Sequence, residues 1–373
     1  LDKNNRVLEL AKHNLYVSFS ELNKVKQAIY DGSLWELVEQ RAHSHPYLLE
    51  ALAPFRDKEN KIFLEKFEPL SRKRFLYLGT SSLHRPDVYR YETRFFKRYS
   101  QPSQEVLIGF DMPSDPENTY SQHYLEVISQ VLKKTDAHFM VASIFGPVPL
   151  DLDEMYPVGQ AVVPSGDELK TVPDIEKRIR RLMEKFSHGH KYGLAVMWDG
   201  KDTLELLELG TGRSTPIDPT RIDLQRVRSV ANMQFGYNAG DQFFSDESSV
   251  KLIKSKRTGK IRNVILNGDH ILSLRAQDGF FTLKAQGAKI LHEHLKPPAL
   301  RVVVNKDSEE FNREGKNVFA KFVIDCDPEI RPMDEVMVVN EKDELIAVGR
   351  AVMNREEILA FDIGIAVKVR EVV

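Results

Sequence analysis

Residues 250–283, VKLIKSKRTGKIRNVILNGDHILSLRAQDGFFTL, read as a meander of short strands. Apolar and polar residues alternate over runs too short for a helix, and turn dipeptides fall at Thr258-Gly259, Asn267-Gly268 and Asp278-Gly279. Asn-Gly and Asp-Gly favour tight hairpins because both residues accept positive φ. AKILHEHL then has helical spacing, and Pro297-Pro298 closes the unit. Beyond it RVVV, VFAKFVI, EVMVVN, LIAVGRAVM and AVKVREV recur at the regular intervals of a small barrel or sandwich.

The meander is also where positive charge collects. KSKRTGKIRNV (254–264) has five basic residues and no acidic one. Residues 221–298 hold thirteen Lys and Arg against seven Asp and Glu, a net charge near +6. Residues 301–373 hold eleven against sixteen, near −5. The overall balance of 53 against 55 therefore hides a basic unit beside an acidic one. Lys254, Lys256, Lys260 and Arg262 have even spacing and tend to share one face of a strand–turn–strand, though the turn disturbs strict alternation; Arg257 belongs to the same run. Such a face suits a phosphate backbone, and the turn at Gly259 offers N–H groups as well. A solvated sheet face is the plainer reading.

Towards the N-terminus the period changes. EVLIGF and HFMVASIFG read as buried strands, with FLYLG and GLAVMW beside them. SQHYLEVISQVLKK and IEKRIRRLMEKF have helical spacing, with Tyr124, Val127, Ile128 and Val131 on one face of the first. Strands alternating with helices predict an α/β layer domain over 75–215. Residues 1–74 read as helices and connector, with Ser20 as an expected N-cap and Gly32 as a stop. The expected fold is thus multidomain α/β and α+β: a helical N-terminal segment (1–74), the α/β layer (75–215), a small basic α+β domain (216–298) and a C-terminal β-barrel (299–373).

At 373 residues, 42% hydrophobic and 29% charged, the composition is that of a soluble chain with real cores. One cysteine, Cys326, excludes an internal disulfide framework, a four-cysteine zinc site and an iron–sulfur cluster held by this chain alone; a structural thiol is expected. A cytoplasmic location follows. The first residue is Leu, which fits a fragment, a processed product or one half of a split gene. No GxGxxG, P-loop, HExxH or GxSxG motif occurs. HGHKYG (188–193), HEH (292–294) and DLDEMY (151–156) offer histidines or carboxylates, and each is expected to be a solvated surface feature.

REGKNVFAKFVIDCDPEIRPMDEVMVVNEKDELIAVGRAVM and the strand after it resemble a PUA domain over the last 75 or so residues. Gly315-Lys316, FAKFV, RPMDEV and VGRA stand in that module's order. QRVRSVANMQFGYNAGDQFF and the opening meander resemble the domain that precedes PUA in archaeal tRNA-guanine transglycosylases. SIFGPVPLDLDEMYPVGQAVVP is similar to the intermediate domain which that family shares with archaeosine synthases. LELAKHNLYVSFSELNKVKQAIYDG resembles the end of the family's catalytic barrel.

The resemblance implies an enzyme family that exchanges guanine in the D-arm of tRNA for 7-cyano-7-deazaguanine, in archaeosine biosynthesis. The family's barrel uses two aspartates and holds structural zinc through three cysteines and a histidine. His13 matches that histidine, while the cysteines, the aspartates and the barrel strands have no match here. The chain is therefore expected to be the tRNA-binding half, inactive alone. Its partners would be tRNA and a catalytic half or subunit, with a possible homodimer through the barrel and no membrane. The basic run would meet tRNA phosphates, and Lys316, Lys321 and Arg350 would contribute from the PUA domain. Two other readings stand: an archaeosine synthase-like enzyme and a stand-alone tRNA-binding chaperone. FDMPSDPENTYSQHY (110–124) keeps Tyr120-Ser121 and His123 but lacks the Cys and Lys of the synthase motif.

Overall fold

The computed structural model describes residues 3–113, 119–133, 135–164, 166–198, 219–236 and 238–373. The first element is one continuous helix, α1 (Lys3–Asp31). Ser20 therefore caps nothing; the helical pattern on both sides runs straight through it. Gly32 does end the helix, at φ +73°. Gly32 N–H reaches Ile29 O (3.2 Å) and Ser33 N–H reaches Ala28 O (2.8 Å), the paired bonds of a Schellman stop. Helices α2 (Leu34–Ala42), α3 (Pro46–Glu50) and α4 (Lys58–Phe67) follow, with Pro46 opening α3.

After β1 (Phe75–Leu76) comes α5 (Pro86–Arg98), which the strand-centred reading passed over. Pro86 stands in its first turn and Asp87 follows, both favourable at a helix N-terminus. Val88, Tyr91 and Phe95 are buried in the main core, as are the Arg90 and Arg98 side chains. The α/β layer is built on β2 (Val106–Asp111), β3 (Ala137–Ser143), β4 (Gly146–Pro149) and, after it, β6 (Leu194–Trp198), in the order β4-β3-β2-β6. β3 and β6 run parallel to β2, and β4 is antiparallel to β3. Helices α6 (Tyr120–His123), α7 (Leu125–Leu132), α8 (Gly166–Lys170) and α9 (Pro173–Gly189) surround this sheet, and β5 (Ala161–Val162) pairs with β1. LELLEL and the expected boundary near 215 lie outside the described residues.

α10 (Pro219–Phe235) and α11 (Ala239–Phe243) lead into the meander β7 (Val250–Lys254), β8 (Ile261–Leu266), β9 (Asp269–Leu274) and β10 (Phe281–Leu283), closed by α12 (Ala285–His294). All pairings are antiparallel. Leu252, Val264, Leu272 and Leu283 align in one row across the four strands, with the last three fully buried. Asn267 and Gly268 both take positive φ (53° and 91°), as a primed two-residue turn requires.

The C-terminal sheet has six strands in the order β12-β16-β15-β14-β11-β13. They are β11 (Arg301–Val304), β12 (Val318–Phe319), β13 (Val323–Cys326), β14 (Glu335–Val339), β15 (Leu345–Ala351) and β16 (Ile365–Val372), with α13 (Lys306–Arg313) and α14 (Arg355–Ala360) beside them. This nearly closed barrel has its own core around Val302, Val318, Val336, Ile346 and Val367. Cys326 is part of it. Burial pushes its thiol up to about 12, so it is a structural, unreactive side chain.

Buried ion pairs lock the barrel to the α/β layer. Glu65 on α4 takes Arg90 Nε at 2.6 Å on one oxygen and Arg331 Nη2 at 2.7 Å on the other. Arg90 also donates to the carbonyls of Glu65, Glu68 and Pro69. Burial alone would raise the Glu65 carboxyl; Arg90 and Arg331 overcome that and hold it at about 2. Its contribution to stability is therefore present above the ordinary carboxyl range and is lost as pH falls through about 4 towards 2. Glu65→Ala leaves two arginines without their shared carboxylate and is expected to cost ~3–5 kcal/mol in denaturant unfolding. Glu65→Gln should flatten the acid limb of the stability–pH curve; an unchanged limb would show that Glu65 carries no such linkage.

Candidate nucleic-acid interface

The basic run forms the β7–β8 hairpin. Its loop is closed by Ser255 N–H to Lys260 O (2.8 Å) and Gly259 N–H to Ser255 O (2.9 Å). The Gly259 N–H is thus engaged inside the turn and is not offered to an anion. The register shifts between Ile253 and Lys254, so strict alternation ends where the charges begin.

The five cations are not equivalent. Lys254 pairs with Asp223 on α10, and Lys260 Nζ lies 3.4 Å from Glu154 in the turn after β4. Lys256, Arg257 and Arg262 are exposed and make no ion pair among the described residues. The run therefore divides into two inner lysines that moor the hairpin to its neighbours and three outer cations that face solvent.

In the barrel, Lys316 and Lys321 are exposed and Arg350 is half-buried. None of the three has an ion pair among the described residues. Lys321 Nζ lies over the Phe322 ring, 4.6 Å from its centroid. On the same barrel Phe319, Ile324, Phe361 and Ile363 expose 45–82% of their surface. Ala320 N–H to Gly364 O (3.0 Å) and the Phe319–Ile365 register hold the two apolar segments together. A free ammonium on a domain that also exposes aromatic and aliphatic groups offers a phosphate contact and surfaces on which unpaired bases can stack. The sequence reading named the lysine and missed these apolar groups, although FAKF displays two of the aromatic rings in plain sight.

His13 is an exposed residue on α1. Among the described residues no group of three or more His, Cys, Asp or Glu is placed to hold a metal ion. His188 and His190 hydrogen-bond to carbonyls one turn back, and His190 stacks on Phe186. His292 bonds to Asp343 O at 2.7 Å.

DLDEMY is not a solvated turn. Asp151 and Asp153 are buried, because their partners come from distant sequence. Asp153 accepts from Ser121 N–H (2.8 Å) and pairs with Arg226 on α10 (3.0 Å). Asp151 borders a cavity of about 200 Å³ lined also by Gln104, Leu125, Ile128, His138 and Phe139. Burial raises the Asp151 carboxyl. Burial, with His190 nearby, lowers His138 to about 3; its ring lies between the hydroxyls of Tyr99 (2.9 Å) and Tyr192 (2.7 Å). It is a neutral linker in the wall. Tyr120 is buried in the core, and Ser121 is engaged with Asp153.

Two family descriptions match the chain: the patch-forming domain C2 of tRNA-guanine transglycosylase over residues 225–298, and the PUA domain over 300–373. Along nearly its whole length the chain is similar to archaeal proteins named tRNA-guanine(15) transglycosylase. That of Methanobrevibacter smithii is 39% identical over 97% of this chain and 54% of its own. That of Methanocaldococcus jannaschii is 38% identical over 99% of this chain and again 54% of its own. The chain thus spans about half the length of the curated relatives it matches. Among solved structures, a protein of unknown function is 17% identical with a TM-score of 0.49, covering 77% of this chain and 98% of its own. No helix among the described residues is long and apolar enough to cross a membrane.

The division of the basic run is open to measurement. Lys254→Ala and Lys260→Ala each remove a half-exposed ion pair and should lower stability by up to ~1 kcal/mol. Lys256→Ala, Arg257→Ala and Arg262→Ala should stay within ~0.5 kcal/mol of the parent. Equal losses in both groups, read from urea midpoints, would abolish the distinction.

Proposed function

We propose that this chain, a relative of the archaeal tRNA-guanine transglycosylases that carries their C2 and PUA domains, is the tRNA-binding half of such an enzyme. The observation that carries the reading is the set of uncompensated cations on two separate bodies. Lys256, Arg257 and Arg262 stand out from the β7–β8 hairpin, and Lys316, Lys321 and Arg350 from the barrel. Lys254 and Lys260, bound to Asp223 and Glu154, orient the first set. Phosphate contacts of this kind position a nucleic acid without reading its sequence.

Exchange of guanine for 7-cyano-7-deazaguanine in the D-arm would take place on a catalytic body outside these 373 residues. The chain's own part is to grip the tRNA and hold its D-arm where the target base is extruded, which is orientation and not bond breaking. Zinc belongs to the same reading. A structural site needs four ligands, and this chain supplies His13 alone, since Cys326 is sealed in the barrel. Three thiolates would have to come from the catalytic body, so the residues present do not themselves form a zinc site. The synthase alternative lacks its Cys and Lys, and Tyr120 and Ser121 are occupied structurally. A cytoplasmic location goes with a tRNA substrate.

Filter binding to tRNA tests the reading. Reversing Lys256, Arg257 and Arg262 to Glu should weaken binding at least tenfold near 0.15 M salt. It should also reduce the steepness of log K against log salt by roughly two to three, since each lost phosphate contact removes just under one. Unchanged affinity and slope would end the proposal. The chain alone should incorporate no labelled guanine into tRNA; incorporation by the purified chain would refute the division of labour. His13→Ala should lower zinc content only in a complex with the catalytic body.

A further inference from the structure

The cavity of about 200 Å³ bordered by Asp151 opens between α7 and α10, at the leading end of β3. Leu125, Ile128, Leu132, Phe139, Leu150 and Ile222 form its apolar walls. Leu125 and Ile222, one from each helix, are 61% and 43% exposed, so the space is open to solvent between them. Water alone serves such a space poorly, because an enclosed water needs about two to four polar partners.

The polar groups around the cavity divide by kind. Its cations are already paired. Arg221 holds Asp136 (2.9 Å) and Ser103 Oγ (3.1 Å), and Arg226 holds Asp153 (3.0 Å) and Leu150 O (2.9 Å). Both ring nitrogens of His138 are taken by tyrosine hydroxyls. What remains is acceptor. Gln104 Nε2 donates to Asp136 at 3.2 Å, which fixes the amide, since the flipped form would set its oxygen against a carboxylate. Gln104 Oε1 is thereby left buried with no hydrogen-bond partner among the described residues. Asp151 takes hydrogen bonds from Ser229 and Gln225, but Tyr99 Oη stays 3.4 Å from each of its oxygens. A carboxylate has about four acceptor positions, so a ligand N–H can join them. A buried acceptor without a partner costs free energy that a ligand's donor removes.

We propose that this cavity is a binding site for a nucleobase that carries N–H donors side by side on one edge. The ring lies between the apolar walls, and its donor edge meets Gln104 Oε1 and Asp151. Guanine, with a ring N–H beside an amino group, fits that edge. Uracil, whose one free N–H stands between two carbonyls, sets oxygen against the carboxylate. A phosphate or a carboxylate ligand meets no free cation here. The base arrives either free or as an unpaired guanine of a bound RNA, and the recognising chemistry is the same for both. The lining residues belong to the layer and α10, not to the hairpin or the barrel, so this site and the proposed tRNA grip can fail separately.

Calorimetric titration of the purified chain with guanosine, inosine and uridine tests the site. Inosine, which lacks the amino group, should bind about fivefold to tenfold more weakly than guanosine, and uridine should not bind at the same concentrations. Gln104→Leu removes the unpartnered acceptor. Leu125→Trp fills the mouth from an exposed position, where the fold tolerates it. Each should weaken guanosine roughly tenfold or more, and Leu125→Trp should do so with the thermal midpoint unchanged. Leu359→Trp, at an exposed site on the barrel, should change neither. Reversing Lys256, Arg257 and Arg262 to Glu should leave guanosine affinity as it is, whatever happens to tRNA.

The source of the base is read by kethoxal, which attacks the N1 and N2 edge of unpaired guanine. A tRNA guanine protected by the parent chain but open with Leu125→Trp identifies RNA as the source, with or without measurable guanosine binding. Guanosine binding with one protection pattern for both chains identifies the free base. If no nucleoside binds and no guanine differs between the two chains, the proposal is overturned. Uridine binding as tightly as guanosine, or guanosine affinity that neither variant moves, overturns it as well.

Discussion

Glu65 is one carboxylate placed between two arginines from different parts of the chain. Arg90 comes from α5, buried in the main core, and Arg331 from the entry to β14 of the barrel. Neither arginine could be buried there without it, and Glu65 could not be buried without them. The neighbouring bonds only make sense once this pair of contacts exists. Leu70 N–H reaches Pro332 O at 2.8 Å, Asn354 Nδ2 reaches Lys66 O at 3.0 Å, and Lys66 pairs with Glu356. These directional polar contacts fix the orientation of the barrel alongside the apolar contact that Met337 and Val348 make with the main core.

The same device recurs between the meander and the barrel. Glu335 is buried, receives Arg370 and Arg275, and accepts Leu283 N–H from the last strand of the meander. Glu371 takes Lys284 and the N–H of Ala285 at the start of α12. Asp278 takes Ser71 from the N-terminal side and Arg275 from its own turn. The proposed docking of a polyanion on an acidic barrel is compatible with this arrangement. The most deeply buried acids of the barrel face inward or sideways onto protein cations and N–H groups, while Lys316 and Lys321 keep their charge free. Net charge by segment, near −5 for this one, says little about the field a ligand meets when so many of its carboxylates are already engaged.

What was legible in the sequence was whatever is decided locally. Asn267-Gly268 and Gly32 specify backbone conformations that few residues adopt, and both behaved as read. Buried alternation gave the meander and the barrel strands. The failures share a cause. Ser20 has the chemistry of a cap, but nothing nearby competes with the helix running through it. α5 was passed over because its apolar positions are interleaved with arginines that look solvated until Glu65, Glu329 and the carbonyls of Met233 and Gln234 close on them. DLDEMY looked exposed for the same reason: Arg226 stands 73 residues away. The cations at 254–262 are not equivalent because Asp223 and Glu154, remote in sequence, each claim a lysine. A charged residue can be assigned inside or outside only when its partner is known, and partners are tertiary.

That inequality sharpens the functional reading. Five equivalent lysines and arginines on a loose hairpin would bind phosphate only after giving up the freedom of the hairpin. With Lys254 tied to α10 and Lys260 tied to the β4 turn, the hairpin is fixed at both ends of its loop before any ligand arrives. Lys256, Arg257 and Arg262 then lose mainly their own rotamer freedom on contact, which leaves more of each charge–charge interaction as affinity. In the proposed complex a second grip on the barrel, held at a set orientation by Glu65 and Glu335, would turn two modest contacts into one intramolecular event, as linked sites do when their geometry matches the ligand. A tRNA is a rigid object with phosphates at fixed separations. On the proposed function, the buried carboxylates would also convert two scattered sets of cations into a frame able to recognise its shape.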